Sequence, residues 1–372
     1  MTLDHSILKT YGWNDTIDSH YKEFSAYFGE KYHVRYKPAR VLAVDRNGCV
    51  IATEKGVVRG IVSRMITHGM GENLEAEKYS LISPLRKPAT GDWVVYLEKG
   101  EACLIRAVLP RASKFARNAA GSIVAEEQVL TANIDYACIV TAMNRDMSLS
   151  RIERYLAAIY DSGCLPIIVL NKADLCEKRD GLFNDVLAIA WGAPVIMTSA
   201  LTGEGIDELM DHMLPGKTYA FFGSSGVGKS SLLNQLKSDA HAEVREISAY
   251  SDRGVHTTTR REMYLLENGS LVIDTPGMRA VQLWADGATV DGLFEDILEL
   301  ARLCRFSNCT HTGEPGCAVR EAIDEGSLTE KRLSNYYKMQ RELEYIKRKE
   351  HIKRDRKKKI KYSRKRKTVD LE

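Results

Sequence analysis

Apolar and polar positions along the 372-residue chain fall into two textures. From Val34 to Pro110, short apolar runs alternate with turn residues. Asp45-Arg46-Asn47-Gly48 separates Arg40–Val44 from Cys49–Thr53, and Asn-Gly between apolar runs is a strong hairpin signal. Glu54-Lys55-Gly56 marks the next turn, and Glu98-Lys99-Gly100 separates Trp93–Leu97 from Ala102–Val108. This spacing predicts a small β-barrel over 34–112, either oligonucleotide-binding (OB-like) or SH3-like. Met65–Leu85 reads as a flexible loop between strands. Residues 1–33 are mixed and polar and read as a loosely packed leader. The basic stretch Pro110–Gly121 reads as a linker, whose span is taken as 113–130.

Strands then alternate with helices. Ile134–Thr141, Leu165–Leu170, Pro194–Met197, Thr218–Phe222 and Leu271–Ile273 are apolar runs, as expected of strands covered on both faces. Ser150-x-x-Glu153 predicts a capping box. It opens a helix with Ile152, Tyr155, Leu156 and Ile159 on one face, closed by Gly163. Ile206, Leu209, Met210 and Met213 mark a second helix, and Leu232, Leu233 and Leu236 a third. The rhythm predicts a mainly parallel α/β sheet across 131–287. Residues 288–346 turn helical around a Cys/His cluster, and 347–372 form a tail.

Composition narrows the class. With 44% hydrophobic and 28% charged residues, the chain is neither fibrous nor wholly disordered. No window approaches the roughly 20 uninterrupted apolar residues of a membrane span. Met-Thr-Leu-Asp-His at the start has no basic flank or apolar run, so a secretory signal is not expected. These features predict a cytoplasmic protein without a membrane partner, its 8 Cys reduced or on metal. Charge is uneven: Lys347–Lys367 holds 14 Lys and Arg against Glu350 and Asp355, a net +12, so a total of +3 leaves −9 on the rest. Such a basic arm is solvated, and nucleic acid is its leading partner.

Gly223-Ser224-Ser225-Gly226-Val227-Gly228-Lys229-Ser230 matches G-x-x-x-x-G-K-[ST], followed by Ser231 and set between a predicted strand and helix. Glycines let the backbone curl its N–H groups toward phosphate, and the helix adds its positive end. Lys229 reaches the β- and γ-phosphates and Ser230 binds Mg²⁺. Asn171-Lys172-Ala173-Asp174 follows an apolar strand. A carboxylate at Asp174 accepts both N1–H and the 2-amino hydrogens of guanine, whereas adenine N1 would face it acceptor to acceptor. Thr198-Ser199-Ala200 ends the next strand with small residues whose backbone can approach the base oxygen. Asp274-Thr275-Pro276-Gly277 ends a strand, with Asp274 placed for Mg²⁺ and Gly277 for the γ-phosphate. Thr257-Thr258-Thr259 suits a first switch offering a hydroxyl to Mg²⁺, with Thr258 the central candidate; a Thr run equally suits an edge strand. At the position where a Gln often orients the attacking water stands Met278, so intrinsic hydrolysis should be slow. His256 either orients water once a partner orders the switch or is an exposed loop His.

Cys304, Cys309, His311 and Cys317 are spaced C-x₄-C-x-H-x₅-C among turn-formers. Three thiolates and an imidazole form a closed set of the structural zinc type, one ion per chain. Cys49, Cys103, Cys138, Cys164 and Cys176 are scattered and read as core or boundary residues.

Motif order is unusual: the base loop precedes the phosphate loop, which precedes the switches. That is the order of a circularly permuted GTPase, tolerated when the old termini lie close and a short loop, here Leu214–Lys217, joins them. With Gly-Asp-Trp-Val at 91–94 in the barrel and the Cys/His cluster after the switch, the chain resembles the ribosome small subunit-dependent GTPase A family over roughly 34–345. The resemblance implies an OB barrel, a permuted P-loop GTPase domain and a zinc-binding helical domain. It further implies hydrolysis of GTP to GDP stimulated by the small ribosomal subunit during its late maturation. The protein is expected to bind that subunit's rRNA and to be a monomer. The arm 347–367 is not part of that resemblance. The competing reading is a non-ribosomal nucleic-acid-binding switch with incidental turnover.

Overall fold

A computed structural model of the protein describes residues 6–45, 48–62, 87–100, 102–118, 127–144, 147–237, 261–274, 294–341, 344 and 348. The expected loop Met65–Leu85 and nearly all of the basic arm lie outside them. The chain divides into two compact units, 1–149 with 162–282 and 150–161 with 283–372.

In the first unit, helices α1 (Ser6–Thr10) and α2 (Asp15–Tyr32) precede strands β1 (Lys37–Asp45), β2 (Gly48–Thr53), β3 (Gly56–Val62), β4 (Trp93–Lys99) and β5 (Ala102–Val108). The strands close in the order β1-β2-β3-β5-β4-β1. Only β3 and β5 run parallel within this ring. A closed five-stranded Greek-key ring of this kind is the OB arrangement. Register shifts at Val41/Ala43 and Val95/Tyr96 supply the bends that closure needs. Alternation sorts the side chains: Val94 and Tyr96 join Val41, Ile51 and Ile105 in one apolar cluster, while Trp93 and Val95 face the other way into a second.

That second cluster corrects the reading of residues 1–33 as a loose leader. Leu8, Trp13, Tyr21 and Phe24 are buried in it with Trp93 and Leu109. Ile17, Tyr21, Phe24 and Phe28 recur every three or four residues, which puts them on one face of α2, and Trp13, just before its cap, joins them in the cluster. Asn14 caps α2 by accepting from Ile17 N at 3.1 Å, and His33 closes it in the left-handed conformation. Trp13 meets Trp93 edge-on at 5.0 Å between ring centroids.

The stretch 113–130, expected as a linker, instead contributes β6 (Lys114–Asn118) and β7 (Glu127–Ala132), an antiparallel pair. Beyond it run β8 (Tyr136–Ala142), α3 (Leu149–Asp161), β9 (Leu165–Asn171), α4 (Arg179–Leu187), β10 (Val195–Met197), α5 (Ile206–Asp211), β11 (Thr218–Phe222) and α6 (Lys229–Lys237). After these come β12 (Glu262–Leu265) and β13 (Leu271–Asp274). Strands β10-β9-β8-β11-β13 are parallel and β12 is antiparallel to β13. Val140, Val169 and Phe221 pack beneath Leu232, Leu233 and Leu236 of α6.

One residue pair, Ala43 with Glu262, continues this sheet into the barrel, giving eleven strands in a single ladder. Arg40 of β1 strengthens that seam. It donates to the carbonyls of Tyr11 (3.2 Å) and Asn133 (2.9 Å) and to Thr218 Oγ1 (3.2 Å), and it lies over Trp93. Burial pulls its guanidinium down to about 10, against Asp135 and Asp92, so it stays charged at neutral pH. Asp92 of the Gly-Asp-Trp-Val stretch takes a two-pronged contact from Arg111 at 2.7 and 2.6 Å.

The second unit holds α7 (Glu295–Arg302), α8 (Ala318–Asp324), helical residues 330–341 and residues 150–161 of α3. The expected capping box at Ser150 is not formed: the helix starts at Leu149, and Glu153 is buried. Its carboxylate oxygens accept from Arg332 Nη1 (2.6 Å) and Asn335 Nδ2 (2.9 Å). A carboxylate taken this far from water needs a charged partner more than a helix end needs a cap.

Trp13→Ala should destabilise the first unit by about 3–5 kcal/mol, the usual range for emptying a buried Trp site. A urea unfolding midpoint equal to wild type would show that the N-terminal helices carry no packing energy.

Candidate functional site

The C-terminal ends of the parallel strands gather most of the residues singled out in the sequence, as open α/β sheets do. Strand β11 runs into the loop Gly223–Gly228, which opens α6 at Lys229. Two glycines are required there. At Gly223 (φ 146°) a Cβ would stand 2.1 Å from Val140 O, and at Gly228 (φ 93°) 2.3 Å from Asn171 Nδ2. Lys229 Nζ folds over the loop and donates to the carbonyls of Gly223 and Ser224, both at 2.7 Å.

Strand β9 ends in Asn171, which is 1% exposed. Its Nδ2 donates to Val227 O of the phosphate loop at 2.8 Å. Its Oδ1 accepts from Thr198 Oγ1 at 3.3 Å and Ala200 N at 3.2 Å. One amide therefore joins three loops. Lys172 takes the left-handed conformation (φ 64°), and Ala173 N bonds Thr198 O at 3.0 Å. Ser199 Oγ donates to Asp174 Oδ1 at 2.5 Å, fixing the carboxylate beside the Ser199-Ala200 backbone. Gln235 of α6 reaches Ala200 O at 3.1 Å.

Asp274 ends β13, directly opposite Glu262 of β12. Burial pushes its carboxyl up, Lys237 pulls it down, Glu262 pushes it up and Lys229 pulls it down. The oxygen donors of Ser230 and Asp274 suit a hard cation such as Mg²⁺. His256, Thr257–Thr259, Gly277 and Met278 lie outside the described residues.

Asn171–Asp174, Ser199-Ala200 and Gly223–Lys229 are thus brought together by hydrogen bonds. The three-loop bridge itself was not legible, since Asn171 and Val227 lie 56 positions apart. Gln235 was missed for the same reason. The group Lys237, Glu262 and Tyr264 carries no motif at all.

In the second unit, Cys304, Cys309, His311 and Cys317 converge, with their donor atoms all within 4.8 Å of one another. Cys304 Sγ lies 3.9 Å from Cys317 Sγ and 3.5 Å from His311 Nδ1, and His311 Nδ1 lies 3.4 Å from Cys317 Sγ. Donors at roughly 2.3 Å (S) and 2.0–2.1 Å (N) around one tetrahedral ion stand about 3.8 Å apart for S–S and about 3.5 Å for S–N. The set fits a single metal ion. His311 sits in the left-handed conformation (φ 56°), and its carbonyl accepts from Arg320 Nε at 2.6 Å. Burial holds its imidazole below the usual His range, favouring the neutral ring that a metal requires. Cys49, Cys103, Cys138 and Cys164 are buried and Cys176 half-buried, outside this cluster.

Known proteins share this organisation. A family model described as RsgA GTPase matches residues 108–284. The chain is 38% identical over 344 residues to the small ribosomal subunit biogenesis GTPase RsgA of Syntrophotalea carbinolica, covering 90% of this chain and 89% of that one. It is 40% identical over 346 residues to the protein of the same name from Streptomyces coelicolor, covering 92% and 88%. The chain belongs to the RsgA GTPase family. Membership makes it a GTPase. The crystal structure of YjeQ from Thermotoga maritima superposes with a TM-score of 0.56 at 26% identity, covering 83% of this chain and 99% of that one. YloQ, described as a circularly permuted GTPase, gives 0.54 at 24% identity, covering 85% and 97%, which speaks to the fold. The permuted order read from the motifs is therefore the order of the family. Among the described residues, no helix is long and apolar enough to cross a membrane.

Gly228→Ala should drive a methyl group into the Asn171 amide and break its bond to Val227. The loss of one buried hydrogen bond costs about 1–3 kcal/mol, so affinity for a fluorescent GDP analogue should fall about tenfold or more. Wild-type affinity would mean that the Asn171 bridge does not shape the site.

Proposed function

We propose that the protein hydrolyses GTP while bound to the small ribosomal subunit during its late maturation, with the GTP state coupled to rRNA binding. The observation that carries this reading is the Asn171 amide, which ties the base loop, the Ser199-Ala200 loop and the phosphate loop into one nucleotide-sized cradle. The names of the relatives support the subunit as partner, and the OB barrel and the basic arm 347–367 offer surfaces for rRNA.

In this reading Asn171, Lys172 and Ala173 shape the base pocket, and the Asp174 carboxylate, steadied by Ser199, accepts the two guanine donors. Backbone N–H groups of Gly223, Ser224, Ser225, Gly226, Val227 and Gly228, with those of Lys229, Ser230 and Ser231 at the start of α6, face the phosphates. Lys229 offsets charge on the β- and γ-phosphates. Ser230, Thr258 and Asp274 would hold Mg²⁺, which would supply countercharge to the phosphates. Gly277 N–H meets the γ-phosphate. Met278 cannot orient water, so turnover alone is slow, and His256 takes that role once the subunit orders the switch. Cys304, Cys309, His311 and Cys317 hold one structural zinc, since a closed thiolate and imidazole set leaves no open position for chemistry. The protein acts as a monomer in the cytoplasm, where subunits mature.

Purified small subunits should accelerate GTP turnover by an order of magnitude or more, while naked RNA of similar length and charge should not. Equal acceleration by both would replace the ribosomal reading with a general nucleic-acid switch.

Asp174→Asn should weaken GTP binding and relax base choice, because an amide cannot accept both guanine hydrogens. A site built on such acceptors rejects the wrong base by roughly 10⁴–10⁵. Competition of ATP against labelled GDP reads the effect, and undiminished rejection of ATP would remove Asp174 from the base pocket.

Protein purified without chelators should carry one zinc per chain by elemental analysis, and Cys309→Ala should release it and melt the second unit locally, since structural zinc supplies folding energy. A stoichiometry near zero in the wild-type protein would end the zinc assignment.

A further inference from the structure

Beside Asp274 lie three residues, Lys237, Glu262 and Tyr264, that have no part in the motifs. Glu262 and Asp274 face each other across the antiparallel β12–β13 pair, so their side chains share a face with Cβ atoms about 5 Å apart. Like charges so placed repel. Tyr264, two residues along, shares that face, and its hydroxyl donates to Glu262 Oε2 at 2.9 Å. Lys237, the last residue of α6, places its ammonium 3.4 Å from the centre of the Tyr264 ring. There it lies within the field of both carboxylates.

We propose that Lys237 is a positioning residue for the carboxylate end of β13: clamped on the Tyr264 ring, its ammonium balances Glu262 and Asp274 in the absence of Mg²⁺ and opposes Mg²⁺ when the ion binds. The inference rests on the proposed reading of Asp274 as a Mg²⁺-holding residue. The reason is electrostatic. Two opposed acids without a cation destabilise the strand pair, and a fixed cation that relieves them also repels an incoming dication. Lys237 thereby trades metal affinity for a site that keeps its geometry when empty of nucleotide and metal.

The test is a Mg²⁺ titration of labelled GDP binding, combined with thermal melting in EDTA. Lys237→Met should lower the Mg²⁺ midpoint about three- to tenfold, by removal of one unit charge several ångströms from a dication, and should lower the melting temperature in EDTA. Saturating Mg²⁺ and GDP should return the melting temperature toward wild type. Lys237→Arg keeps charge and ring contact and should match wild type in both. If Lys237→Met fails to fold by circular dichroism, Lys237→Gln is read in its place. A midpoint unchanged or raised in the charge-removing variant overturns the proposal, and if Asp274→Asn abolishes the Mg²⁺ dependence in the same assay, the reading of Asp274 survives it. Full Mg²⁺ dependence in Asp274→Asn overturns both.

Discussion

A single buried amide sets the geometry on which the nucleotide site depends. Asn171 has two donors and a carbonyl with two acceptor positions, and three hydrogen bonds engage it: to Val227 O, and from Thr198 Oγ1 and Ala200 N. Satisfying a buried amide this fully makes its position costly to change. The strand end at β9 is thereby locked to the loop after β11 and the loop after β10. Gly228 follows from this constraint, because any side chain there would collide with the same amide. The Asp174 carboxylate sits three residues further on and is held by Ser199 from the loop that Asn171 already fixes.

How much of this was legible depends on whether a feature is local. Strand Thr218–Phe222, the loop Gly223–Gly228 and the helix after it were readable, because a run of apolar residues, a glycine pattern and a 3.6-residue stripe are all written in consecutive positions. The metal ligands were readable for the same reason: four donors lie within fourteen residues. The barrel was legible as a barrel, but its closure order was not, since β3 pairs with β5 across a long insertion. The N-terminal helices were misread although their stripe was present. Polar residues between Trp13, Ile17, Tyr21, Phe24 and Phe28 lower the average apolarity of the segment, while the periodicity that determines burial is intact. The pairing of β6 with β7 was hidden by basic residues, which a two-stranded ladder tolerates at its surface.

Charge placement was the least legible feature. Arg40 sits in an apolar strand, Pro38 to Val44, where an arginine looks like an exposed break in the pattern. It is instead buried, with its fork spread over Tyr11, Asn133 and Thr218. Those three partners belong to the N-terminal turn, the β7–β8 connection and the first residue of β11. One guanidinium thus holds together three segments that no periodicity relates, across a seam where, among the described residues, β1 and β12 share one residue pair, Ala43 with Glu262. The side chain compensates for a ladder too short to be stable alone.

The same logic operates in the second unit with the signs reversed. Glu153 looks like a helix cap and is a buried anion. Arg332 neutralises it while its Nε and Nη2 grip Asp296 of α7 at 2.5 and 2.9 Å, and its guanidinium covers the Phe294 ring. A buried charge pair contributes modest net stability, but losing one partner strands the other, so these helices are held as a set. Permutation gives that set its importance. The chain leaves β13 at Asp274 and reaches α7 at Glu295, with the sequence expected as the second switch lying between. In the other direction, α3 leads through three residues to β9, whose end is Asn171. An ion pair that fixes α7 against α3 is therefore covalently continuous with both ends of the nucleotide site. In an unpermuted GTPase the segment after the second switch runs on into the remaining strands of its own sheet. Here it runs into the helical unit that carries the Cys/His cluster and the Arg332–Asp296 contact.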